Sequence, residues 1–263
     1  MALVDYEVIG SVAKLVLNDP PVNGYTHEMM RELDARILDA RFDAKVDVLV
    51  LTGQGEKFFC AGANIGMLQK ADPTYKYYFC LHANETLSRL EQTPKLCIAA
   101  LNGHTVGGGL EVALACDLRI ARRASGKIGL PEVSLGVLPG TGGTQRLARM
   151  IGKSRAMELM CEGRTFDFDT AKEYGLVNEV WETASHAEFM KAVMTYARRF
   201  TTPERASLAV GAIKRAVQSG AEMTLEQGLT LERELQARLF ASDDAREGLT
   251  AYVEKRDPVF QGK

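Results

Sequence analysis

The chain has 263 residues, 46% of them hydrophobic, which is enough to bury a substantial core as one large domain or as a domain with a smaller appendage. Its 32 basic and 34 acidic residues leave a formal net charge of -2, so no overall basic field favours nucleic acid or an anionic membrane as a partner. The sequence opens without a signal-peptide pattern and has no stretch of about 18 uncharged apolar residues, so we expect a soluble, cytoplasmic protein.

Strands and helices alternate through the first half of the sequence. Residues 6–10 and 12–17 predict two short strands that form a hairpin, and the apolar spacing of residues 26–41 predicts a helix. The same order then recurs, with strands at residues 46–52 and 96–101 and helices at residues 74–90 and 107–116. Continuous apolar runs in strands that alternate with helices indicate an α/β fold whose parallel sheet is buried on both faces.

The last quarter of the chain predicts helices alone, so we place a domain boundary near residue 200. Thr224 and Ser242 are typical N-cap residues, and Gly220 is a typical C-cap. The helix after Thr224 carries a stripe that suits either the core of the subunit or an interface between subunits. Its members are Leu225, Leu229, Glu232, Leu235 and Leu239.

Two loops rich in small residues each follow a predicted buried strand, at residues 58–65 and 102–111. Small residues let a backbone approach a ligand closely, and the second loop opens a helix whose unpaired N–H groups would suit a developing anion. Tight packing of a strand against a helix accounts for such glycine runs equally well. Neither loop defines a site by itself.

Two glutamates are candidate proton-transfer groups. Glu111 lies in the first turn of the short helix after Gly107, where a carboxylate also stabilises the helix dipole. Glu132 follows Pro131 among apolar neighbours, which indicates a partly desolvated carboxyl with a raised pKa. In one apolar cleft, the two glutamates would divide the roles of general acid and general base. Their spacing in the sequence does not show that they meet.

Several other kinds of chemistry lack their sequence signatures. Residues 140–143 (GTGG) superficially resemble a phosphate-binding loop, but the chain has neither a GxGxxG between a strand and a helix nor a GxxxxGK(S/T) motif. The four histidines are scattered, and no GxSxG elbow for a serine hydrolase occurs. The five cysteines lack metal-ligand spacing and are expected to be reduced and mostly buried.

Seven segments, taken in their order along the chain, resemble the crotonase superfamily and most closely its enoyl-CoA hydratases. They are PVN at residues 21–23, FCAGA at 59–63, GGGLE at 107–111, CDLRIA at 116–121, PEVSLG at 131–136, PGTGGTQRL at 139–147 and YVEKR at 252–256. Each segment is weak alone, but the ordered set is specific and covers nearly the whole chain.

The resemblance implies both a fold and an assembly. Crotonases build a spiral core from repeated ββα units, so residues 1–200 are expected to form that core, to bind acyl-CoA and to carry out catalysis. The terminal helices of crotonases make trimers, which commonly pair into hexamers. Residues 201–263 are therefore expected to form an α-helical trimerisation region in a homotrimer or homohexamer.

The resemblance also assigns site residues by their positions in the motifs. The backbone N–H groups of Ala63 and Gly108 are expected to form an oxyanion hole for the thioester carbonyl, as the largest single contribution to catalysis. Glu111 is expected to orient and deprotonate water, and Glu132 to exchange a proton with the α-carbon. The Gly140 N–H is expected to help hold the water.

Coenzyme A would then be part of the substrate, with no metal or redox cofactor required and no nucleic acid as a partner. Its binding is expected to involve Ala61 and Ala63, together with Tyr252 and Lys255 from a neighbouring subunit. The implied reaction is the reversible addition of water to a 2-enoyl-CoA, giving a 3-hydroxyacyl-CoA.

Alternatives stay open at this point. The acyl group is a short straight chain by default, and a branched or carboxylated group such as 3-methylglutaconyl is the runner-up. Another crotonase reaction, such as isomerisation, hydrolysis or decarboxylation, is a second reading, and a non-catalytic role in binding RNA or protein is a third. The aromatic residues of positions 75–79 form either a lid over the pocket or ordinary helix packing.

Three positions depart from the family pattern. Asn64 stands where many relatives have aspartate, Leu130 where hydratases often have glutamine, and Tyr252 where phenylalanine is usual. Leu130 makes the site more apolar, and Asn64 removes a charge beside the oxyanion loop. Both differences bear on the choice of substrate.

Overall fold

The structure of the protein is a computed structural model that describes residues 2–263, and within them it forms ten strands and eleven α-helices. The strands are β1 (Val4–Ile9), β2 (Val12–Leu17), β3 (Val48–Gly53), β4 (Phe58–Cys60), β5 (Leu96–Leu101), β6 (His104–Val106), β7 (Leu118–Arg122), β8 (Ile128–Gly129), β9 (Thr165–Phe166) and β10 (Glu179–Trp181). The helices are α1 (His27–Phe42), α2 (Ile65–Lys70), α3 (Pro73–Gln92), α4 (Gly108–Leu114), α5 (Gly143–Ile151), α6 (Lys153–Glu162), α7 (Phe168–Glu173), α8 (His186–Arg198), α9 (Ser207–Gly220), α10 (Leu225–Phe240) and α11 (Asp243–Glu254), with a 3₁₀ turn at Glu132–Leu135. None of the helices in this described part of the chain is long and apolar enough to cross a membrane.

The larger of two sheets has six strands in the order β1-β2-β3-β5-β7-β10. The β1–β2 pair is the predicted antiparallel hairpin, and every other neighbouring pair is parallel. Alternate residues of β3 enter two different cores, because Leu49 and Leu51 pack on one face and Val48 and Val50 on the other. The prediction of a parallel sheet buried on both faces is confirmed.

A second sheet joins four strands of only two or three residues in the order β4-β6-β8-β9. The chain enters it repeatedly: β3 leads to β4 and then to α2 and α3, and β5 leads to β6 and then to α4. In the third repeat, β7 leads to β8 and then to the 3₁₀ turn and α5. This succession of ββα units is the predicted spiral. This repetition matters for function because a loop follows each short strand of the second sheet, and these loops lie in the same region.

The predicted helix caps are confirmed with one exception. Thr224 and Ser242 accept hydrogen bonds from the first turns of α10 and α11, and Thr224 forms a capping box with Gln227. The predicted C-cap at Gly220 is wrong, because α9 ends in a right-handed conformation at Ala221. Gly220 instead lies where α9 and α10 cross, and a Cβ on it would sit 3.8 Å from the Gly228 Cα.

Cysteine burial follows the prediction for three of the five residues. The buried ones are Cys60, Cys97 and Cys116, while Cys80 is half-buried and Cys161 is exposed; all five are free thiols. Burial raises the pKa of the Cys60 thiol to about 12, although hydrogen bonds from neighbouring backbone N–H groups oppose the increase. A buried thiol of this kind behaves as a small hydrophobic side chain.

A buried ion pair fastens α9 to the sheet core. The Lys214 ammonium lies 2.9 Å from the Asp117 carboxylate, and their side chains are only 3% and 12% exposed. Lys214 also donates to the carbonyl oxygens of Leu90 and Lys95, while Asp117 accepts from the Cys97 N–H. The pair therefore ties the all-helical tail to the end of α3 and to the starts of β5 and β7.

Removing one partner of this pair should be costly. Lys214→Met should lower the free energy of unfolding by about 3–5 kcal/mol, because it leaves the Asp117 carboxylate buried without its counter-ion. The matched control is Lys172→Met, which breaks an ion pair of 2.8 Å with Glu179 whose side chains are both 47% exposed. That substitution should cost less than about 1 kcal/mol. Denaturant unfolding at one fixed protein concentration measures both, and equal costs would contradict the role assigned to Lys214.

Candidate active site

The loop that carries Ala63 is held by the segment that leads into α1. The Tyr25 N–H donates to the Gly62 carbonyl at 2.9 Å, and the Asn64 N–H donates to the Tyr25 carbonyl at 2.9 Å. These two bonds form a parallel bridge between Tyr25 and Ala63. In such a bridge the N–H of the central residue points to the opposite side, so the Ala63 N–H faces away from Tyr25. Within residues 2–263 it donates to no backbone or side-chain acceptor.

Gly108 supplies a second free N–H beside the first. It is the first residue of α4, so its N–H has no partner within the helix. Gly62 has φ +94°, and a Cβ placed on it would lie 2.8 Å from the Gly108 nitrogen. Only glycine at position 62 therefore permits this approach of the two backbones. The structure brings the two predicted oxyanion donors, Ala63 and Gly108, onto adjacent segments.

Glu111 is buried in the first turn of α4, with 2% exposure, and three donors hold its carboxylate. Its Oε1 accepts the N–H groups of Thr141 and Gly143, each at 2.7 Å. Its Oε2 accepts the hydroxyl of Thr141. The orientation of the carboxylate is consequently fixed by the loop that leads into α5.

Glu132 has the opposite surroundings. A Cβ on Gly107 would lie 3.2 Å from Glu132 Oε1, so the carboxyl rests against the start of α4. Its Oε2 is buried and has no hydrogen-bond partner within the described residues. Burial raises the pKa of Glu132 to about 7; its own backbone N–H and Lys76 lower this pKa, whereas the charge of Glu111 raises it further. The predicted desolvation of Glu132 is confirmed.

The two glutamates thus meet at the N-terminal end of one short helix, next to the free N–H of Gly108. Three donors hold the Glu111 carboxylate, whereas Oε2 of Glu132 is buried and has no hydrogen-bond partner within the described residues. Two carboxyls in such different environments can work as a base and an acid on the same substrate. The sequence suggested this division of roles, and the spiral brings the two residues together.

Gly140 and Ala61 lie at the edge of the same region. Gly140 directly precedes Thr141, and its N–H is not used in a hydrogen bond within residues 2–263. The Ala61 N–H is bound to the Val22 carbonyl at 3.0 Å, and a Cβ on Gly107 would lie 3.8 Å from the Ala61 carbonyl oxygen. Ala61 therefore lies next to Gly107, at the start of α4, and Gly140 directly precedes the residue that binds Glu111.

Tyr252 and Lys255 stand apart from this group within the single chain. Both lie at the exposed end of α11, where Tyr252 is 85% exposed and Lys255 has a left-handed φ of 55°. Neither side chain makes a hydrogen bond or ion pair with the glutamates or the oxyanion loops in the described structure. Their contact with the coenzyme A of a neighbouring subunit stays a prediction.

The departures from the family pattern have local structural roles. Asn64 caps α2, because its Oδ1 accepts the Met67 N–H at 3.0 Å. Leu130 is 3% exposed, and a Cβ on Gly143 would lie 2.9 Å from its Cδ1. Leu130 therefore packs behind the Gly143 amide that donates to Glu111.

Two residues of the site carried little signal in the sequence. Thr141 belongs to the segment of residues 139–147 that carries part of the family resemblance, but no role was predicted for its side chain, and Tyr25 belongs to no motif. In the structure the Tyr25 hydroxyl lies 3.1 Å from Thr141 Oγ1, and both side chains are buried. A side-chain oxygen at position 141, one residue after the glycine whose N–H was expected to hold water, was the only available hint.

Comparisons with known proteins find relatives that match nearly the whole chain. The family model described as Enoyl-CoA hydratase/isomerase matches residues 7–263. The chain is 36% identical over 248 residues to the short-chain-enoyl-CoA hydratase of Clostridium acetobutylicum, covering 94% of this chain and 93% of the relative. It is 34% identical over 257 residues to the 2,3-dehydroadipyl-CoA hydratase of Escherichia coli, covering 96% of each. A crystal structure of an enoyl-CoA hydratase from Geobacillus kaustophilus superposes with a TM-score of 0.96 at 46% identity, covering 100% of this chain and 98% of the other.

The contrast between the carboxyls makes the titration of Glu132 testable. Glu132 should titrate with a pKa of about 7, and Glu111→Gln should lower this pKa because it removes a neighbouring negative charge. Lys76→Met is the control of opposite sign and should raise the pKa, since it removes a neighbouring positive charge. Carbon-13 NMR of labelled glutamate measures the titration, with Glu132→Gln assigning the signal. A wild-type value near 4.5 would contradict the assignment.

Proposed function

Since the chain belongs to the enoyl-CoA hydratase/isomerase family and is an enoyl-CoA hydratase, we propose that Glu111 and Glu132 carry the two proton transfers of its reaction. Water adds across the α,β double bond of a 2-enoyl-CoA, giving a 3-hydroxyacyl-CoA, and the reverse reaction dehydrates that product. The observation that supports these roles is that, at the same helix end, three donors hold the Glu111 carboxylate while Oε2 of Glu132 is buried without a hydrogen-bond partner.

The N–H groups of Ala63 and Gly108 bind the thioester oxygen. As water attacks the β-carbon, negative charge passes through the α-carbon to this oxygen and forms an enolate. Fixed N–H donors stabilise that charge without having to reorganise, and removing one such donor typically costs about 10²- to 10³-fold in rate. The side chain at position 63 needs only to stay small.

Glu111 takes a proton from the attacking water, which the Gly140 N–H helps to orient. Glu132 gives a proton to the α-carbon, and with a pKa of about 7 it still carries that proton near neutral pH. The pair holds one proton in total before and after hydration. Both directions of the reaction therefore need the same singly protonated pair, and its loss of a proton above about pH 7 should slow both.

Carboxylate-to-amide variants test these roles. Glu111→Gln and Glu132→Gln should each lower kcat by about 10²- to 10⁴-fold, because each removes one general acid–base group. Glu85→Gln is the matched control, since Glu85 is exposed on α3, and it should keep wild-type activity. Loss of the conjugated enoyl-thioester absorbance with crotonyl-CoA follows the reaction, with a chelator present because we propose that no metal or redox cofactor is needed.

Full activity in either glutamine variant would overturn the proposed role of that residue. Product mass discriminates the alternative crotonase reactions, because isomerisation leaves the mass unchanged whereas hydration adds one water.

The same assay with 3-methylglutaconyl-CoA ranks a branched, carboxylated acyl group against the short straight chain that we propose. Relatives named short-chain-enoyl-CoA hydratase and crotonyl-CoA hydratase favour the short chain. The relative named 2,3-dehydroadipyl-CoA hydratase keeps the carboxylated alternative open.

We further propose that residues 201–263 form the assembly region of a homotrimer or homohexamer. In support of this proposal, none of the sixteen residues of α10 is buried. These residues include the stripe that the sequence alone assigned either to the core of the subunit or to an interface between subunits. Large apolar side chains are exposed along α9, α10 and α11, among them Val217 at 65%, Leu225 at 79% and Val253 at 79%. A neighbouring subunit would cover this surface and would bring its coenzyme A to Tyr252 and Lys255.

The assembly proposal predicts a mass of about three or six times 28.8 kDa in analytical ultracentrifugation. Leu225→Glu should shift the protein to smaller species, because it places a charge in the apolar interface. Phe42→Glu is the control, since Phe42 is 83% exposed but lies on α1. A monomer in the wild type, or equal effects of the two substitutions, would refute the assignment of this region.

A further inference from the structure

Three buried polar side chains form a line that ends on Glu111. Tyr25, Thr141 and Glu111 are each 2% exposed, and they come from the segment before α1, the loop before α5 and the first turn of α4. The Tyr25 hydroxyl lies 3.1 Å from Thr141 Oγ1, and the Thr141 hydroxyl in turn bonds to Glu111 Oε2. Polar groups buried this deeply are expensive unless each has its partner.

The direction of these hydrogen bonds follows from the chemistry of the groups. An ionised carboxylate only accepts, so Thr141 must give its single hydroxyl proton to Glu111. The Thr141 oxygen is then left to accept, and Tyr25 must be the donor. Burial, and next the charge of Glu111, raise the pKa of Tyr25 well above its usual value. Tyr25 therefore keeps its proton and remains a donor.

Tyr25 is itself held rigidly and touches both oxyanion segments. Its backbone brackets Ala63 through the bonds to Gly62 and Asn64, and its ring stacks on Phe79 with centroids 5.8 Å apart. A Cβ on Gly108 would collide with the Tyr25 hydroxyl. One side chain thus links the segments that present the oxyanion donors to the carboxylate that activates water.

We propose that Tyr25 and Thr141 are positioning residues for Glu111, a proposal that rests on the proposed role of Glu111 as the base. The Gly143 and Thr141 N–H groups fix Oε1, and the Thr141 hydroxyl fixes Oε2. The carboxylate is therefore left with one defined direction for accepting the proton of water. Tyr25 acts only through Thr141, and it holds the Glu111 carboxylate in a fixed orientation relative to the proposed oxyanion donors.

The hydrogen bonds from Tyr25 through Thr141 to Glu111 are called the relay below. Substitutions that delete single hydroxyl groups test it. Thr141→Val should lower kcat with crotonyl-CoA about 10- to 100-fold at nearly unchanged KM, because it removes a hydrogen bond to a charged group. Tyr25→Phe should lower kcat about 2- to 10-fold, the effect of one neutral hydrogen bond. Thr141→Ser restores the hydroxyl and should restore most of kcat. If Thr141→Val does not fold, Thr141→Ala replaces it, since alanine adds no buried bulk.

The double variant distinguishes a relay from two independent packing defects. Tyr25→Phe combined with Thr141→Val should be no slower than Thr141→Val alone, because Tyr25 has no route to Glu111 once the hydroxyl is gone. Multiplicative losses, a Ser variant as slow as the Val variant, or a rise in KM in place of the fall in kcat would each overturn the inference.

Glu111→Gln, measured alongside, separates this inference from the proposed function. If Glu111→Gln is inactive while Thr141→Val and Tyr25→Phe behave as wild type, only the relay is wrong. If Glu111→Gln is fully active, the role of Glu111 as base is itself wrong.

Discussion

The close approach of two backbone segments, at Gly62 and Gly108, is the constraint on which the site depends. A side chain at position 62 would meet the Gly108 nitrogen, and a side chain at position 108 would meet the Tyr25 hydroxyl. Because neither side chain is present, two N–H groups from different turns of the spiral lie side by side. The bridge to Tyr25 then uses the peptide groups on either side of Ala63 and leaves its own N–H free. Local backbone pairing therefore leaves free the two N–H groups that we propose as donors to an oxyanion.

At the N-terminal end of α4, two side chains of the same type, Glu111 and Glu132, have different environments and therefore different chemistry. Glu111 exchanges the hydrogen bonds of water for three fixed donors, so its negative charge is balanced where it lies. Glu132 loses water and gains no side-chain partner, so burial favours its neutral form and raises its pKa to about 7. The difference comes from the loop of residues 139–143, which folds over one carboxyl and not over the other. Two carboxyls with such different environments suit the roles of base and acid that we propose for them.

Much of this arrangement was predictable from the sequence, and the remainder has identifiable physical causes. The helices α1 and α3 are long enough to show a helical period, and β5 is a continuous apolar run. The strands β4, β6, β8 and β9 have only two or three residues and show no such pattern. The glycine loops and both glutamates stood out because their residue types are unusual where they occur. Tyr25 did not stand out, since its role depends on a contact with Thr141, 116 positions away. The C-cap prediction at Gly220 was wrong because glycine is favoured both where two helices cross closely and at helix C-caps.

The short helix α4 connects these features to the tail of the chain. Its first residue, Gly108, provides one of the proposed oxyanion N–H groups. At its other end, the carbonyl oxygens of Ala113 and Cys116 accept hydrogen bonds from the buried Arg119 guanidinium. Asp117 follows directly and holds Lys214 of α9. Hydrogen bonds and an ion pair thus connect the C-terminal end of α4 to the all-helical tail. The proposed assembly region and the proposed oxyanion donor at Gly108 are therefore connected through one short helix.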